Sequence, residues 1–199
     1  MSFSTRELAY LGLVAALTLG VGVVLGTGLT AATGIPMIGG VLNGVVTAAI
    51  LTAGAKGVPK FGSGTILWLV MSALAVPTLT MGPPGIHKPI IGLVTGLVWD
   101  VLLAMTRRKN WSYLVSGAAM MLVVMFGIYA AAVLLGLPGE EKLRSALAFI
   151  IPINFALGLL GTWLGLKLFD RTVSKLNFVR VMQAQQTQGR SVGDQGSER

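Results

Sequence analysis

Pro83-Pro84-Gly85-Ile86-His87-Lys88-Pro89-Ile90-Ile91-Gly92-Leu93-Val94-Thr95-Gly96-Leu97-Val98-Trp99-Asp100 contains the only histidine of the chain and the only carboxylate lying well inside an apolar run. Lys88, Gly92, Gly96 and Asp100 recur every four residues, so a helix places all four on one face. Gly92-x-x-x-Gly96 is the small-residue spacing that lets two membrane helices approach closely. An acid at the end of such a stripe must point into protein, because a charge facing hydrocarbon costs several kcal/mol. The stretch therefore predicts a packed inner helix with a polar mouth, around which the other apolar segments are arranged.

Composition sets the solvent. Of 199 residues, 54% are hydrophobic and only 11% charged, and the mean hydropathy is +0.79. A water-soluble domain carries about 25% charged residues, so this chain lacks the polar surface to cover itself. It reads as an all-α integral membrane protein of the cell membrane, with one membrane domain over residues 1–172 and a basic, then disordered, cytoplasmic tail over 173–199. Met1-Ser2-Phe3-Ser4-Thr5-Arg6-Glu7 leads directly into an apolar run with no cleavage-like end, so no cleavable signal is expected. The absence of cysteine excludes disulfides, thiolate metal sites and cysteine nucleophiles. The net charge of +8 fits cytoplasmic loop charge better than nucleic-acid binding.

Six apolar runs can each cross a bilayer, for which roughly 20 residues are needed. They lie near 8–29, 35–55, 62–81, 86–105, 113–137 and 143–169. Short connections make neighbouring helices antiparallel. Arg6, Lys56, Lys60, Arg107, Arg108, Lys109, Lys167, Arg171, Lys175 and Arg180 then collect on one side, against Lys88, Lys142 and Arg144 on the other. That asymmetry predicts both termini in the cytoplasm. Trp68, Trp99, Trp111 and Trp163 fall toward the same side, as an interfacial belt or as helix packing.

Several side chains stand out chemically. Gly12, Ala16 and Gly20 form a four-residue stripe on the first span, suited either to packing within the molecule or to docking of a partner helix. Asn154, Gly158 and Thr162 make a similar stripe on the sixth, just after Pro152. An amide in hydrocarbon needs a partner, so Asn154 faces the bundle, bonding either a neighbouring helix or a ligand. Asp100 is expected in an ion pair or helix–helix hydrogen bond, since it lies near the cytoplasmic end, two turns before Arg107 and Arg108. His87 and Lys88 are either solvated loop residues or recognition groups at the mouth of a pocket. One histidine is no metal site. Glu140-Glu141 is similar to the paired glutamates of membrane CAAX-type proteases, but the additional histidines such enzymes need are absent. There is no Gly-x-x-x-x-Gly-Lys-[Ser/Thr] phosphate loop.

Six spans in about 170 residues, a glycine/alanine-striped first helix, a fourth helix of the form Gly-x-x-x-Gly-x-x-x-Asp and a last helix opening Pro-x-Asn together resemble the substrate-binding S component of an energy-coupling factor (ECF) transporter. The resemblance covers residues from about 5 to 172. It implies a non-enzymatic, cofactor-free membrane subunit that captures a vitamin or related small organic micronutrient from outside, working with a separate transmembrane coupling protein and cytoplasmic ATPases. The family's first helix docks on the coupling protein through an Ala-x-x-x-Ala stripe, for which Gly12-x-x-x-Ala16-x-x-x-Gly20 is the steric equivalent here. Family members for cobalt and nickel begin Met-His; this chain begins Met1-Ser2, which disfavours a metal substrate. The family's pocket lies in the outer halves of the later helices, implicating Asn154 and Tyr129, with His87, Lys88, Glu140 and Glu141 at the rim and Asn43 on the second span. The competing expectation is a self-sufficient channel or secondary carrier for a small solute.

Overall fold

The computed structural model describes residues 3–33, 36–78, 80–81, 84–106, 108–136, 140–177, 179–181 and 184; the side chains at 27, 29–31, 33, 36–41, 140–143, 145 and 146 lie outside that description. Six α-helices follow one another: α1 (Thr5–Thr33), α2 (Pro36–Gly57), α3 (Ser63–Leu74), α4 (His87–Met105), α5 (Asn110–Leu134) and α6 (Glu140–Arg171). A 3₁₀ turn, Val173–Lys175, comes after them, residues 179–181 are again helical, and no strand occurs among the described residues.

The helix ends follow local rules. Ser4 and Glu7 form a capping box at the start of α1: the Ser4 N–H donates to Glu7 Oε2 (2.8 Å) and the Glu7 N–H to Ser4 Oγ (3.3 Å). Proline opens α2, where its missing N–H costs nothing. α3 starts after Gly62, whose φ of 96° lies in the left-handed region that only glycine adopts cheaply. It ends at Leu74, because Pro77 follows and disfavours helical backbone at Val76. Twelve residues rise only about 18 Å, so α3 is too short to cross a hydrocarbon layer of about 30 Å alone. Of the run expected to span over 62–81, the helix covers only Ser63–Leu74, and the described residues 75–77 and 80–81 form turns.

The helices close into a ring. Each packs mainly on two others, in the order α1, α2, α6, α5, α4, α3 and back to α1. Small residues set the contacts. A Cβ added at Gly165 would meet Thr52 Cβ at 2.9 Å, and one at Gly161 would meet the Val45 carbonyl at 2.5 Å, so α6 lies with its backbone against α2. Gly158 does the same against the Gly117 carbonyl of α5 (2.6 Å). The core is built from Leu11, Leu51, Leu67, Trp68, Trp99, Leu103, Tyr113 and Met120, all almost fully buried.

Ion pairs gather at one end. Lys60 reaches Glu7 (2.8 Å), Lys56 reaches Asp170 (2.8 Å) and Arg108 approaches Asp100 (3.9 Å). These contacts bring the start of α1, the end of α2 and the end of α6 together, so the described ends of the chain share what we call the basic end. Among the described residues, four helical segments are long and apolar enough to cross a membrane: Thr5–Gly26, His87–Met105, Asn110–Leu134 and Leu147–Lys175.

Candidate functional site

The Lys88, Gly92, Gly96 and Asp100 stripe faces α3 along its whole length. A Cβ at Gly92 would lie 2.7 Å from the Trp68 carbonyl, and one at Gly96 would lie 2.9 Å from the Gly64 carbonyl; no residue but glycine lets the two backbones come this close. The charged residues flanking the glycines close both ends of α3. Asp100 is wholly buried and accepts from the Gly64 N–H (3.2 Å), the Thr65 N–H (2.8 Å) and the Thr65 hydroxyl (2.8 Å). Gly62 has no side chain with which to cap these first-turn donors, so a carboxylate from the neighbouring helix does it. Lys88, also wholly buried, donates from Nζ to the carbonyls of Ala75 (3.0 Å) and Thr78 (2.6 Å), just past the last turn of α3. Anion at the N-terminus and cation at the C-terminus is the arrangement the helix dipole favours.

Asp100 thus makes the helix–helix hydrogen bond expected of it. Lys88 is neither a solvated loop residue nor an open rim group; its charge is committed to the end of α3. His87, one residue earlier, points elsewhere. It stands at the far end of a cavity of about 300 Å³ between α4 and α5, together with Ile90, Ile91, Val94, Gly127 and Leu134. Those walls are apolar, and Ile90 (62%) and Leu134 (84%) are largely exposed, so the cavity is a groove along the outside of the α4–α5 pair.

Asn43, Tyr129 and Asn154 do not line this groove. Asn43 packs on α1, where a Cβ at Gly22 would come within 2.6 Å of its Oδ1, and accepts from the Thr47 hydroxyl (3.2 Å). Asn154 is half-buried, and its Nδ2 donates to the Ile150 carbonyl one turn back in its own helix (3.0 Å). Its amide oxygen meets no donor among the described residues. Tyr129 is half-buried on α5 without a hydrogen bond among those residues. The side chains of Glu140 and Glu141 lie outside the described residues.

At the basic end the polar groups are less fully served. Trp68 Nε1, Trp99 Nε1, Ser116 Oγ and both terminal nitrogens of Arg108 are buried without a hydrogen-bond partner among the described residues. Arg108 itself sits at a φ of 53°, unusual for a side-chain-bearing residue, with its N–H on the Leu103 carbonyl (3.0 Å). Nothing in the sequence pattern singled out Thr65, Ala75 or Thr78 as partners of the α4 charges.

The α1 stripe faces outward. A Cβ at Gly12 or Gly20 would meet nothing within 4 Å, and Ala16 and Gly20 are exposed between Leu13 (70%), Leu17 (55%) and Val24 (68%). The opposite face of α1 buries Leu11, Ala15, Thr18 and Gly22. No group of three or more His, Asp or Glu side chains that could hold a metal ion occurs among the described residues. Comparison of the chain with protein-family models, curated proteins and solved structures gives no match.

Proposed function

We propose that the chain is a substrate-capture subunit of the ECF S-component kind, taking up a vitamin or similar small organic micronutrient with the help of a coupling membrane protein and ATPases. The observation that carries this reading is the uncovered stripe of Gly12, Ala16 and Gly20. Small side chains on an outer face leave a shallow track between larger ones, along which a second helix can lay its backbone. Among the described residues the track is left open, as a docking face requires and an internal packing contact does not.

In this reading the chain crosses the membrane six times with both termini in the cytoplasm. α2, at 22 residues, is long enough. α3 crosses about half the layer, and the segment after it, which opens with turns at residues 75–77, completes the passage. Irregular backbone at that depth is tolerated only where protein satisfies it; Lys88 does so for the Ala75 and Thr78 carbonyls.

Gly12→Leu and Ala16→Leu test the reading. Both are expected to abolish uptake in cells while the purified variants keep the small molecule that the reading expects mass spectrometry to find released from denatured wild-type protein. Loss of that molecule from either variant would make the stripe an internal packing feature. Uptake by the chain alone in proteoliposomes, without ATPases, would make it a self-sufficient carrier.

A further inference from the structure

We propose that the end of α6 and the segment folded after it form a binding surface for the headgroups of anionic phospholipids in the leaflet at the basic end. The apolar part of α6 is as long as the hydrocarbon is thick: about 20 residues from Leu147 end at Leu166, a rise of about 30 Å. Trp163, 44% exposed, sits on the last turn of that length, and Lys167 Nζ lies 3.6 Å above its ring. An aromatic ring with a cation folded over it marks the boundary between tails and headgroups.

Beyond that boundary come Lys167, Arg171, Lys175 and Arg180, all exposed and none paired with a carboxylate among the described residues. The acid among them, Asp170, is already paired with Lys56. The chain does not simply run out into water. After the turn at Val173–Lys175, Val179 returns to the core and is fully buried, in the same cluster as Leu166 and Phe169. That anchor holds Lys175 and Arg180 level with the bundle's end, at headgroup depth. Leu176 (51%) and Val181 (47%) are exposed between the cations. Cations interleaved with exposed apolar side chains match a lipid surface, in which phosphate and acyl chain lie side by side. An acidic soluble partner would be matched by the charges alone.

The experiment uses the full chain in nanodiscs of equimolar phosphatidylcholine and phosphatidylglycerol, with retained lipid counted by native mass spectrometry. Wild-type protein is expected to retain phosphatidylglycerol in preference, less so as salt rises. Each of Lys167→Gln, Arg171→Gln, Lys175→Gln and Arg180→Gln is expected to weaken that preference by about fivefold, and the combined variant to abolish it. These positions are exposed, so the combined variant is expected to keep its unfolding temperature in pure phosphatidylcholine. Equal retention of the two lipids by wild type, or an undiminished preference in the combined variant, overturns the proposal. A combined variant that keeps its lipid preference but no longer co-purifies with an ATPase module also overturns it, and reassigns the surface to a protein.

Discussion

Removing the carboxylate of Asp100 tests whether α4 clamps α3 at both ends. Asp100→Ala leaves the Gly64 N–H, the Thr65 N–H and the Thr65 hydroxyl without their acceptor and Arg108 without its nearby charge. Loss of an N-cap acceptor costs about 0.5–2 kcal/mol, and breaking a buried ion pair about 3–5 kcal/mol. The Arg108 contact, at 3.9 Å, is too long to count in full. We therefore expect a loss of about 3 kcal/mol. Asp100→Asn keeps one oxygen with two lone pairs, enough for two of the three donors, and should lose about 1 kcal/mol. At the other end, Lys88→Met keeps the aliphatic stem but strips the Ala75 and Thr78 carbonyls of their donor. Relief of the buried charge offsets part of that loss, leaving about 1 kcal/mol.

The two charges are twelve residues apart on one helix, about 18 Å, so the Asp100→Ala and Lys88→Met losses should add to within about 0.5 kcal/mol. Unfolding can be followed by tryptophan emission, because Trp68 on α3 and Trp99 on α4 are both buried beside the contact. Wild-type stability in Asp100→Ala would refute the clamp. So would a double variant whose loss departs from the sum by more than about 1 kcal/mol, since the two ends would then not act separately.

Two further outcomes follow from the same geometry. Gly96→Ala places a methyl group 2.9 Å from the Gly64 carbonyl and should destabilise by about 1–3 kcal/mol, whereas Gly20→Ala, with nothing within 4 Å, should leave the unfolding temperature unchanged; equal effects would mean that α3 and α4 are not in backbone contact. Asn154→Leu should leave the apo protein as stable as wild type, because the side chain bonds only to its own helix among the described residues, while a ligand polar group left unpaired there would weaken affinity tenfold to a hundredfold; a lowered unfolding temperature with unchanged affinity would assign Asn154 to packing.

The α4 face was legible in the sequence because its spacing and its chemistry point the same way. Four residues at four-residue steps, two of them glycine and two charged, specify a close neighbour and a place for each charge. The neighbour's identity was not legible, because capping partners are backbone atoms and leave no mark on the partner's side chains. Pro77 did carry a signal. Hydrophobicity marks 62–81 as one apolar run, and the backbone restriction at Val76 ends its helix at Leu74. Lys88 was misplaced for the same reason: until α3 is known to stop at Leu74, no unsatisfied carbonyls exist for it to serve. Val179 looked like part of a polar tail because a single valine shows no period. Asn154 is assigned inward by the cost of an amide in hydrocarbon and Asn43 by the resemblance alone, yet each has a neighbour within its own helix, a solution that hydropathy cannot distinguish from a bond to ligand.

The two small-residue stripes differ in a way that bears on how the molecule could work. On α4 the glycines are occupied by α3 and the stripe ends in charges, so the contact is fixed in register as well as in closeness. On α1 the stripe is open and carries no charge, so it fixes closeness without register. A contact of the first kind suits parts that move as one body. The second suits a partner that must bind and release, because separating it exposes no unpaired charge to lipid and costs mainly van der Waals attraction. Substituting a polar residue on the α1 stripe, such as Ala16→Asn, should thus lengthen the life of any complex and slow turnover. The measurement is uptake rate against the amount of partner retained on purification. More retained partner with undiminished uptake would show that release is not part of the cycle.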